Sequence, residues 1–308
     1  MMDVATGTPR LGWIGLGKMG APMCLHLLKA GHSVDVFDTL TSAMTAVEAE
    51  GATVAASARA VAESAAIIFV SLPNDGALRS LILGEHGIVS ALKPGKIIIE
   101  TSTVSPTVSQ QVAEALTAGG VDYLRAPISG STATAASAKL TVLASGPEAA
   151  YRCVEPLLGA FAIRCFYLGS AEEARYMKLA INMLVGSTSA VLAEALTFGR
   201  KGNLDVAQML EVIGESAVAS PLIAYKRDML SRRDFSPAFS VTQMIKDFDL
   251  VLDAARSEHV PVYLIALIRQ QYEAAYAQGR GDEDFFVLME QYEALAGFAA
   301  TAPTAAPV

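Results

Sequence analysis

The first half of the chain alternates short apolar runs with longer segments whose apolar residues recur every three or four positions. Apolar runs without polar alternation are typical of strands covered on both faces, and the longer period is typical of helices. Strand and helix in alternation predict a doubly wound parallel sheet with right-handed crossovers. The runs that predict its strands span residues 11–14, 34–37, 53–54, 66–70 and 97–99.

The pattern changes after residue 123, where two further strand candidates, residues 141–144 and 164–167, flank a helix that starts near Pro147. Beyond Gly169 only segments of helical period follow, which predicts an all-helical second domain. We therefore expect an α/β domain over residues 1–169, a helical domain over 170–298 and a loose tail over 299–308. The predicted helices of the second domain span about residues 172–201, 205–214, 221–230, 241–256, 261–278 and 285–295.

A glycine-rich turn joins the first strand to the first helix. Its residues are Gly15, Leu16, Gly17, Lys18, Met19 and Gly20. In this setting Gly15 allows a sharp turn, Gly17 lets a diphosphate approach the backbone, and Gly20 lets the helix pack close to the sheet. The helix start then offers unpaired N–H groups to the phosphates. The turn predicts a dinucleotide-binding Rossmann domain, and the alternative is a glycine-rich turn without a ligand.

Asp38 follows the second predicted strand and lies 23 residues after Gly15. A carboxylate at this strand end can accept both ribose hydroxyls of NAD, and it would repel the 2′-phosphate of NADP. No arginine follows at once, so we predict NAD rather than NADP. The alternative for Asp38 is a helix N-cap or a turn residue.

Composition and charge exclude several classes of protein. A chain of 308 residues that is 52% hydrophobic and 18% charged is globular, and a formal net charge of −8 argues against nucleic acid or an anionic membrane as partner. The longest apolar stretch, residues 181–198, contains polar residues and is better explained as a buried helix than as a membrane span. Three scattered cysteines without metal-ligand spacing predict no metal site and a reducing, cytoplasmic location.

Three segments contain residues that could take part in catalysis or in substrate binding. Lys178 and Asn182 lie four apart on one predicted helix, and the apolar residues around Lys178 are expected to lower its pKa, as an acid or base requires. The loop at residues 126–131 offers N–H groups and hydroxyls for a carboxylate. Lys246 and Asp247 form a third cluster. The alternatives are a solvated lysine for Lys178, an ordinary turn for the loop at residues 126–131, and a solvated ion pair for Lys246 and Asp247.

The order of these motifs resembles the β-hydroxyacid dehydrogenase family, which includes 3-hydroxyisobutyrate dehydrogenase. The resemblance spans about residues 11–295 and rests on the glycine turn, the loop at 126–130, Lys178 with Asn182, and Phe239 followed by Lys246 and Asp247. It implies that Lys178 is the acid/base of a hydride transfer between NAD and a small 3-hydroxy acid, with the helical domain closing over both. It further implies substrate contacts at Ser129, Gly130, Ser131 and Asn182, and cofactor contacts at Leu72, Pro73, Thr103 and Lys246.

The chain also departs from the family pattern. Arg125 and Ser131 replace an Asp and a Gly of the substrate loop, Thr134 and Ala138 stand where glycines are common, and Ile181 precedes Asn182 where paired asparagines are frequent. Arg125 is expected either to add positive charge near the loop or to point at solvent.

The departures at Arg125 and Ser131 keep open an NAD-binding redox sensor without enzymatic activity. An imine-reductase-like enzyme is a second alternative because it shares this architecture, although such enzymes generally replace the catalytic lysine that is present here. Family members are dimers or tetramers, so we expect a homodimer or homotetramer that acts on a small carboxylate substrate.

Overall fold

The structure is a computed structural model that describes residues 9–299. The predicted tail, apart from residue 299, lies outside these residues. The chain divides between Lys178 and Leu179 into two compact units, so the first turns of a long helix that begins at Glu173 belong with the α/β unit.

The first unit contains a six-stranded parallel sheet in the order β3-β2-β1-β4-β5-β6. The strands are β1 (Leu11–Ile14), β2 (Val34–Phe37), β3 (Thr53–Val54), β4 (Ile67–Val70), β5 (Ile97–Glu100) and β6 (Asp122–Arg125). The strand order reverses between β1 and β4, and ligands of open parallel sheets bind at the carboxyl ends beside such a reversal. The predicted doubly wound sheet is confirmed, and its topology places the glycine turn at this edge.

Helices cover both faces of the sheet, which explains the unbroken apolar runs of its strands. They are α1 (Gly20–Lys29), α2 (Thr41–Ala49), α3 (Ala58–Ser64), α4 (Asp75–Leu83), α5 (Pro106–Ala118), α6 (Thr132–Ala136) and α7 (Glu148–Leu158). On one face Trp13 of β1 stacks on Phe69 of β4 with ring centroids 4.9 Å apart. The indole N–H of Trp13 donates to the carbonyl of Gly15 at 2.9 Å, so the core directly supports the glycine turn.

A second, three-stranded sheet was not predicted. It contains β7 (Ile128–Ser129), β8 (Leu140–Ala144) and β9 (Ala162–Tyr167), with β7 antiparallel and β9 parallel to β8. The two strand candidates near residues 141 and 164 are therefore real, but they pair outside the main sheet. Pro127 has no N–H and lies between β6 and β7, where the chain leaves one ladder for the other.

The second unit is helical in the part of the chain that the structure describes. Its helices are α8 (Glu173–Lys201, which starts in the first unit), α9 (Val206–Gly214), α10 (Pro221–Arg232), α11 (Val241–Ser257), α12 (Tyr263–Ala275) and α13 (Leu288–Leu295). Gly186 of α8 lets Phe248 of α11 pack against the helix backbone, because a Cβ there would lie 2.5 Å from the ring. The carbonyl of Gly186 accepts the hydroxyl of Tyr272 at 2.9 Å.

Helix α8 is long and apolar enough to cross a membrane by length and composition, and 44% of its most apolar window is buried within the protein. Two polar side chains of this helix are buried and bonded inside the second unit. Ser189 donates to the carbonyl of Phe285 at 3.0 Å, and Asn182 donates to Asp247 at 2.5 Å. These contacts are those of a core helix in a folded domain.

Ala138 adopts a left-handed conformation with φ of +56° just after α6. The N–H of Lys139 donates to the carbonyl of Thr134 at 2.8 Å, as in a helix end that normally carries glycine at this position. We expect Ala138→Gly to raise the free energy of unfolding by about 1 kcal/mol, because glycine relieves the strain of positive φ. Urea unfolding measures the change. The control Ala133→Gly, inside α6, should instead lower it by about the same amount, and stabilisation by both variants would contradict the explanation.

Candidate active site

The three glycines of the turn after β1 differ in their surroundings. Gly15 has a φ of +93°, and a Cβ there would overlap the carbonyl oxygen of Ser71. A Cβ on Gly20 would overlap the carbonyl oxygen of Gly15. Apart from its chain neighbours, no described residue lies within 4 Å of a Cβ on Gly17. The predicted sharp turn at Gly15 and close packing at Gly20 are confirmed, while Gly17 leaves open space beside the backbone.

The N-terminus of α1 has the properties of an anion site. Among the described residues, no side chain caps this end by a hydrogen bond, and the first turn holds no acidic residue. Its N–H groups and the helix dipole therefore favour a negative group from outside the chain. Lys18 is exposed beside it, and Leu16 and Met19 complete the turn. The open space at Gly17 and the uncapped helix together fit the diphosphate of a dinucleotide.

Asp38 lies directly after β2 and faces the glycine turn. One carboxylate oxygen accepts the N–H of Leu16 at 2.7 Å, and the other accepts the N–H of Leu40 at 2.8 Å. The second bond is that of a turn residue, as the alternative expected, but α2 is preceded by Leu40 rather than capped by Asp38. A carboxylate has about four acceptor sites, so two remain for ribose hydroxyls.

The loops that follow β4 and β5 are joined at the same sheet edge. The N–H of Leu72 donates to the hydroxyl of Ser102 at 2.6 Å, and the N–H of Ser102 donates to Glu100 at 2.7 Å. Pro73 is exposed and Thr103 is half-buried. The predicted cofactor neighbours Leu72, Pro73 and Thr103 thus lie on two loops that hydrogen bonds hold together.

The loop at residues 126–131, expected to bind the substrate, contains β7 and ends in the N-terminus of α6. Gly130 has a φ of +146°, and a Cβ there would overlap the side chain of Thr134. Ser131 caps α6: its backbone N–H donates to the hydroxyl of Thr134 at 2.7 Å, and its own hydroxyl accepts the N–H of Thr134. Two departures from the family pattern, Ser131 and Thr134, therefore form one reciprocal cap. Because Ser131 is used by this cap, Ser129 and Gly130 are the better candidates for binding a substrate carboxylate.

Arg125 meets neither of the two expectations for it, which were exposure to solvent and added positive charge near the loop at residues 126–131. The side chain is buried, its Nε donates to Glu172 at 2.9 Å, and its guanidinium lies 4.8 Å from the ring centroid of Tyr123. The expectation of solvent exposure is wrong, because Glu172, 47 positions later, neutralises the charge. Because Arg125 and Glu172 form an ion pair, they add no net positive charge near the loop at residues 126–131.

Lys178 lies on α8 in the first unit and is half-buried. Its apolar surroundings are only partial, since the neighbouring Met177 is 44% exposed while Leu179 is buried. Hydrogen bonds from Ser145 to Ala171 and from Ala174 to Ser145 hold the start of this helix to the end of β8.

In the second unit, Asn182 is oriented by a carboxylate that the sequence analysis did not pair with it. Asp247 of α11 is 1% exposed, accepts the amide nitrogen of Asn182 at 2.5 Å and pairs with Lys246 at 2.8 Å. The solvated ion pair considered as the alternative is wrong, because Asp247 is buried. A carboxylate only accepts, so the amide nitrogen faces Asp247 and the carbonyl oxygen faces away. Phe239, just before α11, packs edge-on against Phe285.

Residues 9–299 contain no group of three or more His, Cys, Asp or Glu side chains that could hold a metal ion.

Two family models match the chain in succession. Residues 10–169 match the NAD-binding domain of 6-phosphogluconate dehydrogenase, and residues 173–292 match the NAD-binding model of NADP-dependent 3-hydroxyisobutyrate dehydrogenase. The first match covers the parallel sheet, and the second runs from the start of α8 into α13, so together they span most of the described fold.

Individual relatives cover nearly the same length. The 2-(hydroxymethyl)glutarate dehydrogenase of Eubacterium barkeri is 34% identical over 289 residues, 94% of this chain and 96% of that protein. The NAD-dependent L-serine dehydrogenase of Pseudomonas aeruginosa is 30% identical over 94% of this chain and 99% of its own. The crystal structure of a 3-hydroxyisobutyrate dehydrogenase from Salmonella typhimurium has a TM-score of 0.84 at 29% identity, covering 92% of this chain and 100% of that chain.

Proposed function

The chain belongs to the 3-hydroxyisobutyrate dehydrogenase-like family of NAD(P)-dependent β-hydroxyacid dehydrogenases, and we propose that it transfers a hydride between NAD and a small 3-hydroxy acid, or reduces the matching semialdehyde or keto acid. The observation that carries this proposal is on α8. Lys178 supplies an amine there, and Asn182, four residues on, is an amide whose orientation the buried Asp247 fixes. An amine and an oriented amide suit a hydroxyl–carbonyl interconversion.

In the proposed reaction, NAD bound at the glycine turn supplies the hydride acceptor for oxidation. Lys178 takes the hydroxyl proton in that direction and returns it in the reduction. The N–H groups of Ser129 and Gly130 bind the substrate carboxylate. The glycine turn and the loops after β4 and β5 bind the cofactor.

The test is a panel assay that follows NADH fluorescence with 3-hydroxyisobutyrate, serine, threonine, threonate and glycerate for oxidation, and glyoxylate for reduction. We expect turnover of at least one 3-hydroxy acid. NAD binding without turnover of any compound would contradict the proposal and favour the redox sensor. Reduction of a cyclic imine in preference to every carbonyl compound would favour the imine-reductase-like alternative.

Asp38 supports NAD as the cofactor, since its carboxylate would repel a 2′-phosphate. We expect the unmodified protein to bind NADH more tightly than NADPH, and Asp38→Ala to reduce that preference about tenfold or more, because charge-assisted hydrogen bonds to the ribose are lost. Fluorescence titration with both cofactors measures the ratio. Glu50→Ala removes an exposed carboxylate at the end of α2 and should leave the ratio unchanged. A preference for NADPH in the unmodified protein would refute this assignment.

Helix α8 also supports a homo-oligomer. Leu184, Val191 and Phe198 recur every seven residues along it and are between 61% and 83% exposed. A heptad stripe of large apolar residues is typical of a helix that packs against another helix, and a second copy offers the same stripe. We propose that two copies pair along α8.

The double variant Val191→Glu with Phe198→Glu is expected to convert the oligomer to monomer, because it places charges in the apolar contact. Light scattering after size-exclusion chromatography measures the mass. Gln208→Glu adds a charge at an exposed polar position of α9 and should leave the mass unchanged. A double variant that keeps the mass of the unmodified oligomer would contradict pairing along this stripe.

A further inference from the structure

A buried polar cluster joins the first turn of α8 to the sheet of the same unit. We call it the Arg175 cluster; its members are Glu100, Ser102, Ser109, Tyr123 and Arg175. Arg175 is 1% exposed. Its Nη2 pairs with Glu100 and donates to the hydroxyl of Tyr123 at 3.1 Å, its Nη1 donates to the carbonyl of Ser102 at 2.7 Å, and its Nε donates to Ser109 at 3.2 Å. All three guanidinium nitrogens therefore have acceptors.

Arg175 keeps its positive charge inside the cluster. Burial disfavours the guanidinium cation, but Glu100, Tyr123 and Glu172 together outweigh burial and raise the pKa of Arg175. Burial also raises the pKa of Tyr123 to about 12, so its hydroxyl stays neutral near pH 7. The buried cation of Arg175 thus persists at working pH and stays paired with Glu100. The cluster is suited to holding geometry rather than to moving protons.

The cluster connects the parts of the first unit that the proposed reaction uses. Arg175 precedes Lys178 by three residues, a rise of about 4.5 Å along the helix, and residues three apart lie on neighbouring positions of the helix surface. On the sheet side, Ser102 accepts the N–H of Leu72, so the same cluster reaches the loops after both β4 and β5. The Arg125–Glu172 ion pair is a second connection between the sheet and α8, after the Arg175 cluster. It joins β6 to the residue just before α8.

We propose that Arg175 is a positioning residue that fixes Lys178 relative to the cofactor edge of the sheet. The proposal rests on the proposed function, in which Lys178 is the acid/base. A rigid guanidinium fork suits this role because it engages four partners at once, which a lysine ammonium cannot reproduce. Misplacement of a reacting group by about 1 Å can cost about 100-fold in rate.

The test uses the double variant Glu100→Gln with Arg175→Met, which removes both buried charges and leaves neither uncompensated. The amide oxygen introduced at position 100 can still accept the N–H of Ser102. With the panel compound that the unmodified protein turns over fastest, we expect kcat to fall about 100-fold. KM and the Kd for NADH should change less than about threefold, because Arg175 binds neither ligand. Arg175→Lys should fold normally and lose about tenfold in kcat.

The matched control is Arg10→Met with Asp35→Asn, an ion pair in the same unit at the amino ends of β1 and β2. Thermal unfolding and the folded fraction are measured for every variant, and kcat is expressed per folded molecule. If loss of an ion pair acts only through stability, both double variants will keep normal kcat per folded molecule. That result would overturn the proposal. A loss of NADH affinity as large as the loss of kcat in the Glu100→Gln/Arg175→Met variant would overturn it too.

A thermodynamic cycle with Lys178→Ala shows whether Arg175 acts through Lys178. We expect the Glu100→Gln/Arg175→Met changes to cost less than about threefold in kcat when Lys178 is already Ala. A further 100-fold loss in that background would overturn the positioning role while leaving the proposed function intact. Near-normal turnover of Lys178→Ala alone would instead refute the acid/base assignment itself, so the two failures are distinguishable.

Discussion

Lys178→Ala is expected to lower kcat by about two to four orders of magnitude, because the reaction loses the group that takes the hydroxyl proton. The Kd for NADH should stay within about threefold of the unmodified value, since the glycine turn, Asp38 and the edge loops are intact. In the unmodified protein, oxidation should accelerate with pH as the amine loses its proton, and this rise should be absent from the variant. Stopped-flow turnover and NADH titration over a pH series measure both effects.

Two further variants make the Lys178 test specific. Lys178→Arg keeps a positive charge but stays protonated at every accessible pH, so it should be almost as inactive as the alanine variant. Lys201→Ala removes an amine from the far end of the same helix, where it lies 4.5 Å from the ring centroid of Phe298, and should leave kcat unchanged. Near-normal turnover of Lys178→Ala would remove this residue from the mechanism.

Gly17→Val is expected to lower affinity for NADH about 100-fold while the melting temperature stays unchanged. The physical reason is the open space at Gly17: apart from its own chain neighbours, no described residue lies within 4 Å of a Cβ there, so a side chain would extend into the volume that a diphosphate needs. Fluorescence titration and thermal unfolding of the same preparation separate affinity from stability.

Gly15→Ala is the counterpart of this variant. Its φ of +93° and the overlap with the carbonyl of Ser71 predict a lower melting temperature, with cofactor affinity falling as a consequence of the damaged turn. Normal NADH affinity in Gly17→Val would contradict the placement of the diphosphate at this turn. A Gly17→Val protein that loses stability as strongly as Gly15→Ala would contradict the inference that the space there serves a ligand.

Much of the fold followed from local pattern. The first five parallel strands and the helices of the second half were predicted within a few residues, because the apolar period that indicates them acts over a few positions. The resemblance to β-hydroxyacid dehydrogenases also rested on motifs, and the family matches over residues 10–169 and 173–292 confirm it. The site residues themselves stay predictions.

The sequence by itself determined the strand–turn–helix start, because Gly15 adopts a positive φ and Gly20 packs against the carbonyl of Gly15 within the same turn. Only the tertiary structure decided the partners of the buried polar residues: Glu172 for Arg125, Glu100 for Arg175 and Asp247 for Asn182. These pairs are 47, 75 and 65 positions apart. A buried charge needs a partner, but which residue provides it depends on strand order and helix packing rather than on local sequence.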